Sequence, residues 1–113
     1  MTAQVVRVWK GLGTADGVDR YCREHFSKTV LPQLQSLDGF REAKVLVHSM
    51  RGMTEVIVAT VWESLDAVKA FAGDDYERAV VEPIVRDLLE RFDENVTHFR
   101  LAVAHPITPR TAP

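Results

Sequence analysis

The 113-residue sequence predicts an α+β fold of the ferredoxin-like type, with elements in the order βαββαβ and an antiparallel sheet. Three observations support this prediction. β-Branched, apolar runs occur at four places in the chain. Two amphipathic helical patterns separate the first run from the second and the third from the fourth. A short glycine-containing segment joins the two central runs, and a connection of that length pairs neighbouring strands antiparallel.

The first part of the chain predicts one strand and one helix. Residues 4–9 are β-branched and alternate weakly, and Gly11 and Gly13 are expected to end the strand. Thr14 is a predicted helix cap, because its hydroxyl can accept a hydrogen bond from the first turn. Pro32 is expected to end or kink the helix, since proline has no N–H to donate. The apolar stripe of this helix recurs every four residues and consists of Val18, Cys22, Phe26 and Val30, bordered by Tyr21 and Leu34.

The middle of the chain predicts a hairpin followed by a second helix. Residues 40–48 and 54–62 are the expected strands, and Gly52 lies in the turn between them. Ser64 is placed to cap the helix that follows, and the GDD sequence of residues 73–75 is expected to interrupt it.

A second four-residue repeat runs from Tyr76 to Phe92 and predicts further helix. Pro83 is expected to divide it into a short turn and a longer helix that begins at the proline, because a first helical turn tolerates proline. Residues 94–103 are the predicted last strand. We therefore expect one domain over residues 1–104, followed by a flexible tail over residues 105–113.

Composition and charge argue against several classes of function. The formal net charge is −2 with the signs interspersed, so no nucleic-acid surface is predicted. No apolar run approaches the roughly 20 residues that cross a bilayer, and the N-terminus lacks the pattern of a signal peptide. Cys22 is the only cysteine, which rules out an intrachain disulfide and agrees with a reducing compartment. We expect a soluble, cytoplasmic protein.

Both faces of the predicted sheet are apolar. On the third strand, side chains alternate between one face, with Val56, Val58 and Trp62, and the other, with Ile57, Ala59 and Val61. Two helices can cover only one face, and soluble monomers seldom expose an apolar face of roughly several hundred Å². We therefore expect a homodimer in which two sheets face each other and close an α+β barrel.

Residues 61–67 (VWESLDA) resemble the Trp-Glu-Ser segment and following helix of the antibiotic biosynthesis monooxygenase family of dimeric α+β barrels. Residues 71–76 (FAGDDY) and 91–99 (RFDENVTHF) are similar to segments of its bacterial members. The resemblance covers about residues 4–103 and implies the ferredoxin-like fold and the dimer. For activity, the best-understood branch of the family implies oxidation of phenols to quinones by molecular oxygen, without metal or flavin.

Two branches of that family imply different residues. In the quinone-forming branch, a tryptophan lies beside the substrate with an asparagine, a tyrosine and an arginine. Trp62 matches the tryptophan, whereas Val58 and Val68 stand where the asparagine and the tyrosine would be. The haem-degrading branch carries a tryptophan and an axial histidine at positions that correspond to Phe71 and Val81, neither of which can ligate iron. Haem degradation by that route is not predicted.

Three residues are candidates for catalysis. Trp62 ends a strand, where it could line a cavity or plug the core. His98 lies mid-strand, where it could line the barrel or act as a base near neutral pH. His25 follows Tyr21 by four residues on the helix, so the two side chains could converge on a ligand or merely border the core stripe.

The candidate substrate-binding residues are Arg7, Trp9, Tyr21, His48 and Tyr76. Arg7 and His48 alternate with apolar neighbours, which suits a pocket or the rim of an interface. Tyr76 could gate a cavity or anchor a helix. No histidine pair has the spacing of metal ligands and no glycine-rich phosphate loop occurs, so neither a metal nor a cofactor is predicted.

Together with these residues, the resemblance implies a cofactor-independent monooxygenase that oxidises a phenolic or quinol-type small molecule with oxygen. In this hypothesis His98 or His25 accepts a proton, Arg7 or Tyr21 stabilises the anion, and Trp62 orients the ring. Two alternatives remain open. The protein could bind a small apolar molecule or haem without turnover, or it could be a non-oxidative isomerase or cyclase of the same superfamily.

Overall fold

The structure, a computed structural model, describes residues 3–105 and has the predicted ferredoxin-like α+β fold. Its elements are β1 (Val5–Gly13), α1 (Ala15–Arg20), a π-helical segment (Tyr21–Val30), α2 (Leu31–Gln35), β2 (Phe40–Met50), β3 (Met53–Trp62), α3 (Leu65–Ala72), α4 (Ile84–Leu88), β4 (Arg91–Phe92) and β5 (Thr97–Arg100). The predicted tail lies outside the described residues except for His105. Within residues 3–105, no helix is long and apolar enough to span a membrane.

One antiparallel sheet organises the fold, with β1 in its centre. β3 pairs with β1 along the whole strand, from Val5 opposite Trp62 to Gly13 opposite Thr54. β2 lies on the other side of β3, and the short strands β4 and β5 both pair with the free edge of β1. This arrangement confirms the predicted pairing of the two central strands.

The β2–β3 hairpin turns at two residues with left-handed backbone conformations. Arg51 has φ 48° and Gly52 has φ 83°, and Met50 pairs with Met53 across the turn. Positive φ at both central residues gives a turn whose twist matches that of the strands. The prediction of a hairpin turn at Gly52 is therefore confirmed.

Gly11 does not end the first strand, and that part of the prediction is wrong, whereas Gly13 is the last residue of the strand. β1 continues to Gly13, and Gly11 pairs with Val56 on one side and Phe92 on the other. A Cβ atom on Gly11 would lie 2.6 Å from Cδ1 of Leu89. Glycine occurs here because Leu89, directly after α4, packs closely on the strand and leaves no room for a side chain. A glycine inside a strand can thus mark a close approach as well as the end of the strand.

Pro32 does not end the first helical region, which continues to Gln35. The residues before it are π-helical, so the Leu31 N–H donates to the carbonyl of Phe26, five residues earlier. Pro32 then lies in the first turn of α2, where a missing N–H has little consequence. The π-helical geometry also brings Tyr21, His25 and Phe26 to the buried side together.

The second helical region is shorter than predicted. Ser64 caps α3, its hydroxyl accepting from the Ala67 N–H at 3.2 Å, and α4 begins directly after Pro83, as expected. The helix ends at Leu88, however, and Phe92 belongs to β4, because its backbone pairs with β1. The predicted last strand over residues 94–103 is regular only over Thr97–Arg100.

The core lies between the helices and one face of the sheet. Trp62, Leu34, Val56 and Val68 are completely buried there. The opposite face, here called the outer face, carries apolar side chains that no element of residues 3–105 covers. Its cross-strand pairs include Leu46 with Ile57 and Val6 with Phe99, and it leaves Leu46 and Phe99 more than half exposed. Both faces of the sheet are therefore apolar, as the strand pattern predicted.

We predict that Gly17→Ala lowers the free energy of unfolding by about 1–3 kcal/mol. A Cβ atom at Gly17 would overlap the backbone oxygen of Leu88, and backbone cannot move aside as a side chain can. Alanine would gain up to about 1 kcal/mol of helix propensity, which is less than the overlap costs. Urea denaturation measures the difference. Gln35→Ala, at an exposed helical position, is the control and should remain within about 0.5 kcal/mol of the wild type.

Candidate functional site

A cavity of about 90 Å³ lies between the inner face of the sheet and the helices. Most of its wall is aliphatic or aromatic. The side chains with polar groups along it, apart from Trp9, are Arg7, Tyr21, His25, Gln33, Thr60 and Glu82. A few polar groups in an apolar enclosure are typical of small-molecule sites.

A second space, an outer groove of about 260 Å³, lies next to the inner cavity. His25 and Glu82 line both spaces, so they stand where the two meet. Pockets for drug-sized ligands measure about 300 Å³ or more. A ligand with more than one ring would therefore occupy the cavity and the groove together.

Arg7 comes from the inner face of β1 and is almost completely buried, with 5% of its surface exposed. Its Nη1 donates to the carbonyl of Tyr76, and its Nη2 donates to that of Arg78 at 3.0 Å. No carboxylate within residues 3–105 forms an ion pair with it. Burial lowers the pKa of Arg7 to about 10, so the guanidinium keeps its charge at neutral pH.

His98 faces Arg7 across the β1–β5 pairing, with Nε2 3.0 Å from Nη1. A guanidinium can only donate, so we assign Nε2 as the acceptor and place the ring proton on Nδ1. Burial lowers the pKa of His98, and the Arg7 charge lowers it further, against a smaller opposing effect of Glu77. His98 is therefore a neutral acceptor behind Arg7, and it does not line the cavity.

Tyr21 and His25 are buried in the π-helical segment, and their rings lie 5.6 Å apart. Neither side chain has a hydrogen-bond partner within the described residues. No side-chain nitrogen or oxygen there is both buried and unpartnered, so their polar atoms are accessible, and both residues line the cavity. Burial raises the pKa of Tyr21, with a smaller contribution from Cys22, so its hydroxyl remains protonated. The structure therefore brings Tyr21 and His25 together on the cavity wall.

Two other candidates lie behind the cavity wall. Trp62 does not line the cavity; its indole N–H donates to the Thr60 hydroxyl at 2.9 Å, and its ring stacks on Phe71 at 5.3 Å. Thr60 and Phe71 do form the wall, so Trp62 supports it from behind. Tyr76 also lies outside the cavity and contributes its carbonyl to Arg7.

The last two candidates lie in different places. Trp9 lines the cavity, and its indole N–H donates to the carbonyl of Asp93 at 2.9 Å. His48 is exposed on the outer face, where it contacts the Glu55 carboxylate at 2.7 Å, far from any cavity wall.

Sequence reasoning missed Thr60, Gln33 and Glu82 as cavity residues. The sequence gives no signal for Glu82, because acidic residues in a helical pattern usually lie on the solvated face, whereas Glu82 lines the wall. The position of Thr60 in the sequence did indicate a cavity residue. It is the polar member of the buried alternation on β3, between Val58 and Trp62, and a hydroxyl at a core position needs a partner or a ligand.

Within residues 3–105, no three side chains of histidine, cysteine, aspartate or glutamate come together as metal ligands would. The cavity offers instead a cation, a phenol and an imidazole among aromatic walls. This set can bind an oxyanion and exchange a proton with a ligand.

Comparison with solved structures finds this fold in several proteins. A Bacillus cereus protein assigned to the antibiotic biosynthesis monooxygenases aligns with a TM-score of 0.65 at 17% identity, over 95% of this chain and 99% of its own. The ActVA-Orf6 monooxygenase of Streptomyces coelicolor, solved with Nanaomycin D, aligns with a TM-score of 0.57 at 20% identity, over 96% and 94%. SnoaB, a cofactor-independent oxygenase from Streptomyces nogalater, aligns with a TM-score of 0.49 at 16% identity, over 96% and 100%. No family model and no curated protein matches the chain.

The first two of these alignments span nearly the whole of each chain. The chain therefore has the fold of the antibiotic biosynthesis monooxygenases, as its resemblance to that family predicted. At these identities the likeness concerns the fold, and the activity has to be argued from the cavity.

We predict that His98 makes the protein less stable as the pH falls below neutrality. In the unfolded chain a histidine takes up a proton near pH 6.5, whereas the folded-state pKa of His98 is lower. The unfolded chain then binds more protons, so the free energy of unfolding falls in this window; above about pH 7.5 both states are neutral and the contribution is constant. His98→Gln keeps an acceptor for Arg7 but cannot titrate. Urea midpoints from about pH 7.5 to about pH 5 should fall more steeply in the wild type, and parallel curves would refute the assignment.

Proposed function

We propose that this protein is a cofactor-independent monooxygenase that oxidises a phenolic or quinol-type small molecule with molecular oxygen in the cytoplasm. The observation that carries the proposal is the pair Tyr21 and His25, two largely buried residues that line an apolar cavity and whose polar atoms are accessible and have no hydrogen-bond partner within the described residues. A phenol that ionises in such a site becomes electron-rich enough to reduce oxygen. The fold shared with two structures described as monooxygenases supports this choice.

The proposed chemistry uses the electrons of the substrate. For a naphthol, the ring carbon para to the hydroxyl loses its hydrogen, and one atom of O₂ becomes the new carbonyl oxygen there. The other oxygen atom leaves as water with the two hydrogens that the substrate gives up. The product is a quinone, and neither a metal nor an external reductant enters the balance.

In this mechanism His25 accepts the phenolic proton, since its ring nitrogens have no other partner within the described residues. The protonated Tyr21 hydroxyl then donates to the oxyanion that forms. The apolar wall excludes water, which would otherwise solvate the phenolate and compete for it. These two side chains would take over the part of the polar residues whose positions Val58 and Val68 occupy in this chain.

Trp62 has an indirect part in this proposal. Its hydrogen bond to Thr60 and its stacking on Phe71 hold two wall residues in place, so it positions the substrate through them. His98 acts in the same way through Arg7, because its Nε2 is occupied by the guanidinium contact.

We predict that His25→Gln lowers the rate of oxygen uptake by about 10²-fold or more, which is the usual contribution of a general base. The assay follows oxygen with dihydroxynaphthalenes and anthrones, and labelled O₂ should place one atom in the quinone. His48→Gln is the matched control, since this histidine is exposed and lies outside the cavity. Equal rates for His25→Gln and the wild type would exclude His25 as the base. No uptake by the wild type with any of these substrates would count against the oxidation itself.

The second candidate function is binding without turnover, and the apolar side chains of Val58 and Val68 favour it. A small apolar molecule or haem would then be held and not transformed. Titration with haemin would give a Soret band if haem is the ligand. A non-oxidative isomerase or cyclase would convert its substrate without consuming oxygen, so the oxygen electrode separates these classes.

The homodimer is also a proposal, and the outer face supports it. β1, β2, β3 and β5 place Val6, Leu46, Ile57 and Phe99 on this surface, and no element of residues 3–105 covers it. A second copy presents the same surface, so one two-fold axis would cover both faces at once.

We predict that the wild type sediments at micromolar concentration with twice the mass of one 12.7 kDa chain. Leu46→Lys places a charge on the apolar outer face, at a residue that is more than half exposed in the single chain, and should shift the protein to the single-chain mass. Ile84→Lys is the control, because Ile84 is also an exposed aliphatic residue but lies on the helical side. A wild type that sediments as one chain would exclude the dimer.

A further inference from the structure

Arg7 is a buried cation without a counterion. Only 5% of its surface is exposed, and no aspartate or glutamate within residues 3–105 forms an ion pair with it. Its recorded partners are two carbonyl oxygens and one imidazole nitrogen, all of which are neutral. A buried charge compensated only by neutral dipoles is an arrangement that a ligand of opposite charge would stabilise.

The donors of Arg7 are only partly used. Both N–H groups of Nη1 are engaged, one by the Tyr76 carbonyl and one by His98 Nε2, and Nη2 gives one hydrogen bond to the Arg78 carbonyl. Nε and the second N–H of Nη2 have no partner within the described residues. These two nitrogens lie along one edge of the planar guanidinium, and such an edge can bind a carboxylate through two parallel hydrogen bonds.

One of the two unused donors, Nε, is accessible. The described part of the chain contains no side-chain nitrogen that is both buried and unpartnered, so Nε is accessible, and Arg7 lines the cavity. The guanidinium carbon lies 5.7 Å from the centre of the Phe71 ring, which also lines it. An aromatic wall thus adjoins the cation.

The charges along the cavity are arranged asymmetrically. Besides Tyr21, whose hydroxyl is protonated, the other ionisable wall residues are Glu82 and His25, and both also line the outer groove. Arg7 does not line that groove. An anionic group in the cavity would therefore be attracted to Arg7, which lines only the cavity, and repelled by the Glu82 carboxylate, which lies on the wall that the cavity shares with the groove.

We propose that Arg7 forms a carboxylate subsite and that the ligand of this protein is an aromatic acid. A phenol has a pKa of about 10 and stays mostly neutral at physiological pH, whereas a carboxyl group has a pKa of about 4 and arrives ionised. The carboxylate pairs with the free edge of Arg7, and the ring lies along Trp9 and Phe71 toward the groove. If the ligand is the substrate, it is a hydroxylated aromatic acid. The identity of the substrate as a hydroxylated aromatic acid rests on the proposed function, whereas the binding of a carboxylate by Arg7 does not.

The test compares 5-hydroxy-1-naphthoate with its neutral carboxamide by calorimetry. The wild type should bind the acid at least about tenfold more tightly than the amide. Arg7→Met should abolish this preference, and Arg100→Met, which removes an exposed arginine of β5, should retain it. Equal affinity of the wild type for the acid and the amide would overturn the proposal.

A second measurement uses the unmodified protein, in case Arg7→Met does not fold. The Nε–H resonance of Arg7 should shift on titration with the acid and stay in place with the amide, and a resonance that ignores the acid overturns the proposal. Oxygen uptake is recorded with both compounds. If the acid binds more tightly than the amide but no oxygen is consumed, the carboxylate subsite stands and the proposed oxidation is rejected. If the acid and the amide bind equally and oxygen is consumed, the oxidation stands and the subsite is rejected.

Discussion

One buried guanidinium connects parts of the chain that are far apart in sequence. Arg7, on the central strand, binds the carbonyls of Tyr76 and Arg78 and contacts His98 on β5. Residues 76–82 contain no helix, so their backbone groups need partners elsewhere. The same stretch continues into a wall of the cavity. The cavity thus depends on an arginine that holds a non-regular segment against the sheet.

Burial determines the protonation of two polar groups near the cavity. Burial lowers the pKa of His98, the Arg7 charge lowers it further, and the ring stays neutral; burial also raises the pKa of Tyr21 and keeps its hydroxyl protonated. The cavity therefore presents a permanent cation, a hydroxyl donor and the ring nitrogens of His25. These groups have separate capacities: the cation attracts an anion, the hydroxyl donates to an oxyanion and the imidazole accepts a proton. Such a division suits a site that binds a ligand by one group and ionises it at another.

The candidate residues could be placed from the sequence only in part. Arg7 and Trp9 lie on the face of β1 that strand parity assigns to the interior, and both line the cavity. Trp62 lies on the corresponding face of β3 but is completely buried and does not line the cavity. The alternation of side chains along a strand therefore does not distinguish a residue that lines the cavity from one that packs behind its wall. Tyr21 and His25 come together through π-helical geometry, which a four-residue repeat does not distinguish from an α-helix.

The order of the elements, the hairpin, the helix caps and the apolar character of both sheet faces follow from the sequence itself, because each depends on residues close together in the chain. Tertiary structure decided where β1, the first helical region and α4 end. Gly11 permits close packing with Leu89, Pro32 falls in the first turn of α2, and Phe92 pairs with β1. In each case the residue or repeat is compatible with two local structures, one in which the element ends and one in which it continues. A partner distant in sequence selected one of them, because contacts with such partners exist only once the chain has folded.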